Sequence, residues 1–197
     1  MTRNHKVWLL VIALATALTG CGTSAPPRFY GLDSTATASG TPSVQTAVMV
    51  GPVSVPAAVD RPEFVVQVAP NRVEIDEFDR WAAPLNDSIA RAVAGNLSVL
   101  LASPNVIAGP LAGFNPSYTV TINVQRFESV KGDAALMDAV WAVHSAAGGQ
   151  AKSGRTIARE TVQGDGFDAL AAAHSRAIAK LSSDIAAAIR TEAAQNL

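Results

Sequence analysis

The chain has 197 residues, with 15 lysines and arginines against 16 aspartates and glutamates and a formal net charge of −1. Its basic residues form no block, which argues against nucleic-acid binding, and its single cysteine excludes an internal disulfide. This length is sufficient for one domain with a hydrophobic core of its own.

The first 20 residues have the pattern of a secretory signal. Two basic residues, Arg3 and Lys6, precede an apolar run over 7–18, which is shorter than the ~20 residues that a membrane-spanning helix needs. Cys21 follows directly. We therefore predict that residues 1–20 are a signal peptide and that the mature chain begins at Cys21.

The residues that end this segment match the lipobox of bacterial lipoproteins, since Leu18, Thr19 and Gly20 precede Cys21. In that pattern the cysteine thiol accepts a diacylglyceryl group, and further acylation (palmitate is typical) makes the attachment stable. The alternative is an ordinary secretory signal with an incidental cysteine. Gly22 follows instead of aspartate, and the sorting rule of lipoproteins in diderm bacteria then favours the outer membrane, facing the periplasm.

The segment 21–46 is rich in serine, threonine, alanine, glycine and proline, a composition typical of a tether. Within it, only 28–33 (RFYGLD) combines aromatic and aliphatic residues, and it predicts a short strand. We place the folded domain at 47–197.

Within that domain, alternating apolar residues predict strands at 48–55, with a break at Gly51-Pro52, at 64–68, and in 71–76. A four-residue apolar spacing predicts a helix from Pro84 to Leu101. After a loop, a three-stranded meander starts at Tyr118, and 168–191 predicts a second amphipathic helix. One mixed or antiparallel sheet with both helices packed on it, an α+β fold, buries both apolar stripes.

No catalytic pattern is present in the sequence. There is no G-x-S-x-G, P-loop or G-x-G-x-x-G motif, and no histidine pair has metal-ligand spacing. His174 lies on the apolar stripe of the last helix and is interpreted as structural. We predict no enzymatic activity, no metal, and no cofactor other than the covalent lipid on Cys21.

Two further features allow either a binding or a structural interpretation. The acidic cluster Asp76, Glu77 and Asp79 suits a partner-binding patch or a solvated approach to the following helix, and we favour the second. Trp81 and Trp141 suit interface anchors or core residues, and we favour the core.

Several short motifs follow one another in a fixed order. Gly-Pro-x-x-x-Pro begins at Gly51, Asp60-Arg61-Pro62 follows, and Trp-Ala-x-Pro-Leu begins at Trp81, ahead of a helix that closes in Asn96-Leu97. The lipobox, 29–32 (FYGL), 124–128 (VQRFE) and the strand of Trp141 also fit. This order resembles the ABC-type transport auxiliary lipoprotein family, whose members include paraquat-inducible protein C-like, membrane integrity-associated transporter subunits.

The resemblance implies a non-catalytic role in lipid traffic. Family members act with mammalian cell entry (MCE) systems, in which an inner-membrane permease and ATPase work with MCE-domain proteins on phospholipids or other hydrophobic molecules. The lipoprotein would be the docking or acceptor component at the outer membrane, and a homo-oligomeric ring would suit docking. Asp60, Arg61, Pro62 and Trp81 are candidate partner-binding residues. The alternatives are a structural or assembly lipoprotein that partners an outer-membrane protein, and a periplasmic enzyme.

Overall fold

The computed structural model describes residues 25–38, 40, 44 and 46–195. In this part of the chain, all eight strands belong to one sheet. The elements are, in chain order, β1 (Arg28–Tyr30), β2 (Val48–Ser54), β3 (Glu63–Ala69), β4 (Arg72–Trp81), α1 (Leu85–Leu101), β5 (Val106–Ala108), β6 (Tyr118–Val130), β7 (Ala134–Ser145), β8 (Lys152–Thr161) and α2 (Gly166–Gln195).

Strand β6 is the centre of the sheet. One of its edges pairs antiparallel with β7, which pairs in turn with β8. Its other edge is shared, because β2 pairs parallel with its first half and β3 pairs parallel with its last residues. Beyond β2 lies β5, and beyond β3 lie β4 and then β1. The sheet is therefore mixed, and β1 is one of its edge strands.

The alternation of buried and more exposed residues along β6 shows which face of the sheet is covered. Alternate residues from Tyr118 to Val124 are buried, as expected of a strand with one covered face. A register shift between Val124 and Arg126 then moves the buried position by one residue, so that Phe127 also lies in the core.

Helices α1 and α2 pack on this face and against each other. Both present one apolar stripe to the sheet, as their spacing predicts. The predicted α+β class, a sheet with two amphipathic helices, is confirmed. The fully buried helix residues of large volume are Leu85, Ile89, Leu97, Leu101, His174, Ile178, Leu181, Ile185 and Ile189.

Some element boundaries differ from the predicted ones. Strand β5 lies in the stretch predicted to be a loop, because three residues are too few to show an alternation and are ordered by pairing with β2. Strand β4 continues to Trp81 through an irregular stretch, where Asp76 Oδ1 accepts hydrogen bonds from the N–H groups of Phe78 and Asp79, each at 3.0 Å. The stretch predicted as a helix approach is therefore part of the sheet.

The opposite face of the sheet carries neither helix. Alternation with buried neighbours places Val140 of β7 and Ile157 of β8 on this face. On β4, Ile75 lies opposite Val65, whose neighbours in β3 are buried, so Ile75 lies on the uncovered face too. In the described chain, six of the eight exposed large apolar side chains lie on strands, namely Phe29, Val73, Ile75, Phe78, Val140 and Ile157.

Gly154 of β8 lies under the indole ring of Trp141 in β7. A Cβ at position 154 would lie 2.7 Å from the Cη2 atom of that ring. The ring is held because its N–H donates to Thr156 Oγ1 at 3.1 Å, and Thr156 donates to Asp184 on α2 at 2.7 Å. We expect Gly154→Ala to lower the free energy of unfolding by about 1–3 kcal/mol, measured by urea unfolding followed by tryptophan fluorescence.

The matched control is Gly31→Ala, because no heavy atom lies within 4 Å of a Cβ built at Gly31. This exchange should change the free energy of unfolding by less than about 0.5 kcal/mol. Equal effects of the two exchanges would contradict the close approach of Gly154 to Trp141.

Candidate functional site

The predicted lipidation site adjoins the start of the described chain. Cys21 and the lipobox residues Leu18, Thr19 and Gly20 lie outside the described residues. Strand β1 begins at Arg28, seven residues after Cys21, and seven residues span at most about 25 Å. An anchor at Cys21 would therefore keep β1 close to the bilayer surface. Neither helix of the described chain is long and apolar enough to cross a membrane.

A buried carboxylate holds β1 against β4. Parallel pairing places Arg28 opposite Asp79 and Tyr30 opposite Trp81. The Tyr30 hydroxyl donates to Asp79 Oδ1 at 2.6 Å, and the Arg28 guanidinium donates to Oδ2 at 2.7 Å. The Asp79 side chain is only 1% exposed, whereas that of Arg28 is 66% exposed. We call Arg28, Tyr30 and Asp79 the β1 latch.

The electrostatics of the β1 latch favour an ionised Asp79 and a neutral Tyr30. Burial alone raises the pKa of Asp79, but hydrogen bonds from Arg28 and Tyr30 outweigh it and leave that pKa below its usual range. Burial, reinforced by the hydrogen bond to Asp79, raises the pKa of Tyr30 to about 12. The latch is therefore intact at neutral pH, and it weakens as the pH falls through the lowered pKa of Asp79.

An aromatic cluster lies beside the β1 latch. Phe64 of β3 is at its centre, with Trp81 stacked at 4.0 Å, Tyr30 edge-on at 5.5 Å and Phe167 of α2 edge-on at 5.0 Å between ring centroids. Each such pair adds about 0.5–1.5 kcal/mol beyond its area burial. Trp81 is 5% exposed, so it is a core residue and not part of an exposed partner-binding surface.

His174 of α2 extends this cluster into the core. Its ring stacks on Phe127 at 3.9 Å, and its Nε2 lies 2.9 Å from the hydroxyl of Ser129. Its Nδ1 has no hydrogen-bond partner among the described residues. Burial lowers the pKa of His174 to about 3. The imidazole is therefore neutral at physiological pH and acts as a packing residue.

The remaining candidate partner-binding residues lie on the loop before β3. Asp60, Arg61 and Pro62 are all exposed. The carbonyl of Pro62 accepts a hydrogen bond from the N–H of Trp81 at 2.7 Å, and Arg61 pairs with Glu63 at 3.2 Å. The structure thus brings this loop and Trp81 together through the backbone, with only the loop facing solvent.

Residues 31–38 cross both helices, and we call them the strap. The N–H of Asp33 donates to the hydroxyl of Ser175 on α2 at 3.1 Å. The N–H of Ala36 donates to the side-chain oxygen of Asn96 on α1 at 2.8 Å. The strap therefore links two helices that are distant in sequence.

The interpretation of 21–46 as a tether does not hold for the described residues of this segment from Arg28 onwards. The described part of this segment contains β1 and apolar side chains, among them Leu32 and Val44, that pack on the core. The N–H of Val44 also donates to the last carbonyl of α1 at 2.9 Å. These contacts make the described residues part of the folded domain, because a free linker would leave them solvated.

Asn96 fixes the strap at the contact between the helices. It is fully buried, and its side-chain nitrogen donates to Ser182 on α2 at 3.2 Å.

Asn96→Ala leaves the N–H of Ala36 without its acceptor, and we expect a loss of about 1–3 kcal/mol in the free energy of unfolding. The strap should also be cleaved faster in limited proteolysis. Asn86→Ala, in the same helix at a partly exposed position, is the control, and equal cleavage of both variants would contradict this role.

In the described chain, no group of three or more histidine, cysteine, aspartate or glutamate side chains is placed to hold a metal ion. A groove of about 670 Å³ between α1 and β2 is mostly apolar, with Met49 and Pro52 in its lining beside Asp87 and Arg91. It contains no histidine or cysteine. That the chain is not an enzyme and takes no cofactor stays a prediction.

Fold and site together define an α+β domain, in which a latched N-terminal strand starts seven residues after the cysteine of the predicted lipobox. A family model described as the ABC-type transport auxiliary lipoprotein component matches residues 30–186. The chain belongs to this family. The match begins at Tyr30 of the β1 latch, ahead of the predicted domain start at 47.

Two solved structures share this fold, and a third is a weaker match. A crystal structure of an uncharacterized protein is 22% identical, with a TM-score of 0.67 over 84% of this chain and 99% of its own. A Xanthomonas campestris protein of family DUF330 is 18% identical, with a TM-score of 0.71 over 86% and 98%. A PelC dodecamer from Paraburkholderia phytofirmans is 15% identical, with a TM-score of 0.41 over 74% and 93%. No curated protein matches.

The sequence patterns do not predict the β1 latch. In the sequence, Asp79 is part of an acidic cluster with Asp76 and Glu77, whereas in the structure only Asp79 of these three residues is buried. A usable signal was its spacing of two from Trp81, because alternate residues of a strand share a face. That signal depends on assigning a strand to 77–81.

Proposed function

We propose that the chain is the lipid-anchored auxiliary subunit of an MCE-type ABC transport system, which moves phospholipid or other hydrophobic substrates between the inner and outer membranes. In this proposal it lies in the outer membrane, faces the periplasm, and acts as a non-catalytic docking or acceptor component without a cofactor. The observation that carries the proposal is membership of the ABC-type transport auxiliary lipoprotein family over residues 30–186.

The geometry near the predicted anchor supports a docking role at a membrane. The reach from Cys21 to Arg28 is at most about 25 Å, and the β1 latch and the strap fix β1 to the rest of the domain. A domain held in this way stays at the bilayer surface, where a conduit from the inner membrane has to deliver or collect its substrate. The exposed loop of Asp60, Arg61 and Pro62 is the candidate contact for the MCE-domain protein.

The proposed location in the outer membrane follows from Gly22, the residue after the lipidated cysteine. Density-gradient separation of the two membranes should place the wild-type chain in the outer-membrane fraction. Gly22→Asp should move it to the inner membrane, since aspartate at this position commonly retains lipoproteins there. Recovery of the wild-type chain in the inner membrane would contradict the proposed location.

A genetic experiment tests the transport role. Deleting this chain, deleting the MCE-domain protein, and deleting both should cause the same sensitivity to detergent, because all three strains lack the same pathway. A chain with Cys21→Ser should fail to complement. An additive defect in the double deletion, with reduced amounts of an outer-membrane protein, would contradict the proposal and favour an assembly lipoprotein.

A further inference from the structure

Exposed apolar side chains lie on β1 and β4, the two strands that the β1 latch joins. Phe29 of β1 is 62% exposed and Phe78 of β4 is 41% exposed. The parallel register of the two strands places these residues one position to either side of the Arg28–Asp79 pair. Ile75 and Val73 continue along β4 and are also exposed. We call Phe29, Val73, Ile75 and Phe78 the β1–β4 patch.

The β1–β4 patch is not covered by another element of the described chain. Strand β1 is the edge of the sheet and pairs only with β4, and both helices pack on the opposite face. Half of the eight exposed large apolar side chains of the described residues lie in this patch. Single exposed apolar residues are ordinary, but a cluster of them on a soluble domain marks a contact surface.

The predicted lipid anchor determines what the β1–β4 patch meets. Phe29 lies eight residues after Cys21, so its backbone stays within about 30 Å of the acylated sulfur. Residues at the far end of the domain can lie much farther from the anchor, because α2 has 30 residues and is about 45 Å long. A short link of this kind raises the effective concentration of the patch at the bilayer to about the millimolar range.

We propose that the β1–β4 patch rests on the bilayer that carries the Cys21 anchor, with Phe29 and Phe78 inserted among the lipid headgroups. This inference rests on the lipid anchor of the proposed function but not on any transporter partner. Contact with the bilayer orients the domain, so that the β1 edge faces the membrane and the helices and the β8 edge face away from it.

The contact is apolar and does not depend on anionic lipid. The two arginines next to Phe29 are already paired, Arg28 with Asp79 at 2.7 Å and Arg80, which lies opposite Phe29, with Glu63 at 3.8 Å. Glu74 and Glu77 are exposed on the same strand and would be repelled by anionic headgroups. Phosphatidylcholine vesicles are therefore sufficient as a test membrane.

The test uses tryptophan as a reporter in the lipidated mature chain, which begins at Cys21 and is reconstituted into phosphatidylcholine vesicles with or without brominated acyl chains. Phe29→Trp and Phe78→Trp place the reporter in the patch. Val99→Trp is the matched control, because Val99 is 40% exposed on α1, away from β1. The background quenching is low, since Trp81 and Trp141 are both buried and Trp8 belongs to the predicted signal peptide, which the mature chain does not carry. Near-ultraviolet circular dichroism checks that each variant folds.

We expect the brominated lipid to quench Phe29→Trp and Phe78→Trp, whose emission should also shift to shorter wavelength in vesicles. Val99→Trp should show neither change. Absence of quenching at positions 29 and 78 would overturn the proposal and leave the patch free for a protein partner. Equal quenching of all three variants would overturn it too, because no face would then be preferred. A missing MCE partner would leave this result unaffected.

Discussion

Lowering the pH from 7 to 5 is expected to reduce the free energy of unfolding by about 2 kcal/mol through His174 alone. Burial lowers the pKa of this histidine from its ordinary value of 6.5 to about 3. Between these values the unfolded chain binds a proton that the folded chain does not bind. Stability is therefore lost as the pH falls below 6.5, and the loss continues towards pH 3.

His174→Gln is expected to remove this slope, although it also reduces stability at pH 7 by removing the stacking on Phe127. His144→Gln is the control, because it exchanges a histidine that is exposed at the end of β7 and lies outside the core. The measurement is urea unfolding at several pH values between 5 and 7. A slope that survives in His174→Gln would contradict the burial of a neutral imidazole at this position.

Asp79→Ala is expected to lower the free energy of unfolding by about 2–4 kcal/mol, because it removes two hydrogen bonds, one of them to a charged donor, and leaves the buried Tyr30 hydroxyl without its acceptor. β1 should then separate from β4, and the chain before residue 38 should become sensitive to protease. Tyr30→Phe removes only one of the bonds and should cost about 1 kcal/mol.

The pH dependence separates this effect from that of His174. The hydrogen bonds that outweigh burial lower the pKa of Asp79, so its contribution is present above the ordinary carboxyl pKa and is lost as the pH falls through the lowered one. The difference in the free energy of unfolding between Asp79→Ala and the wild type should therefore become smaller in strong acid. Asp133→Ala, at an exposed ion pair with Arg159, is the control. If it destabilised the chain as much as Asp79→Ala, burial of the latch would not be the cause.

The sheet and the helices could largely be predicted from the sequence, since their side chains carry the period of each element. Alternation predicts β6, and the four-residue spacing from Leu85 to Leu101 coincides with α1. The predicted break at Gly51-Pro52 is a register shift between Val50 and Val53, where Gly51 has a φ of +133°.

The strap and the β1 latch could not be predicted, because long-range polar contacts hold them. The strap has few apolar residues, and its order comes from backbone N–H groups that find acceptors on Asn96 and Ser175, 60 and 142 residues away. The pairing of β1 with β4 similarly joins residues about 50 apart. Local periodicity contains no information on such pairings, which depend on the assembled sheet.

The Asp60–Pro62 loop and the β1–β4 patch give the domain two candidate contact surfaces with different chemistry. The loop is polar and close to ion pairs of Arg61 and Arg80 with Glu63, which suits a protein partner. The patch is apolar and adjoins the predicted anchor, which suits a bilayer. A subunit that joins a transport conduit to a membrane needs both kinds of contact.

The most direct test of the proposed transport role is chemical crosslinking in intact cells that express the tagged full-length chain, followed by purification and mass spectrometry. A strain with Cys21→Ser provides the control for lost anchoring. Our account predicts that an MCE-domain protein is crosslinked to the lipidated chain and is lost or strongly reduced in Cys21→Ser. Recovery of an outer-membrane protein without any MCE-domain protein or permease would contradict the account and identify the chain as an assembly lipoprotein.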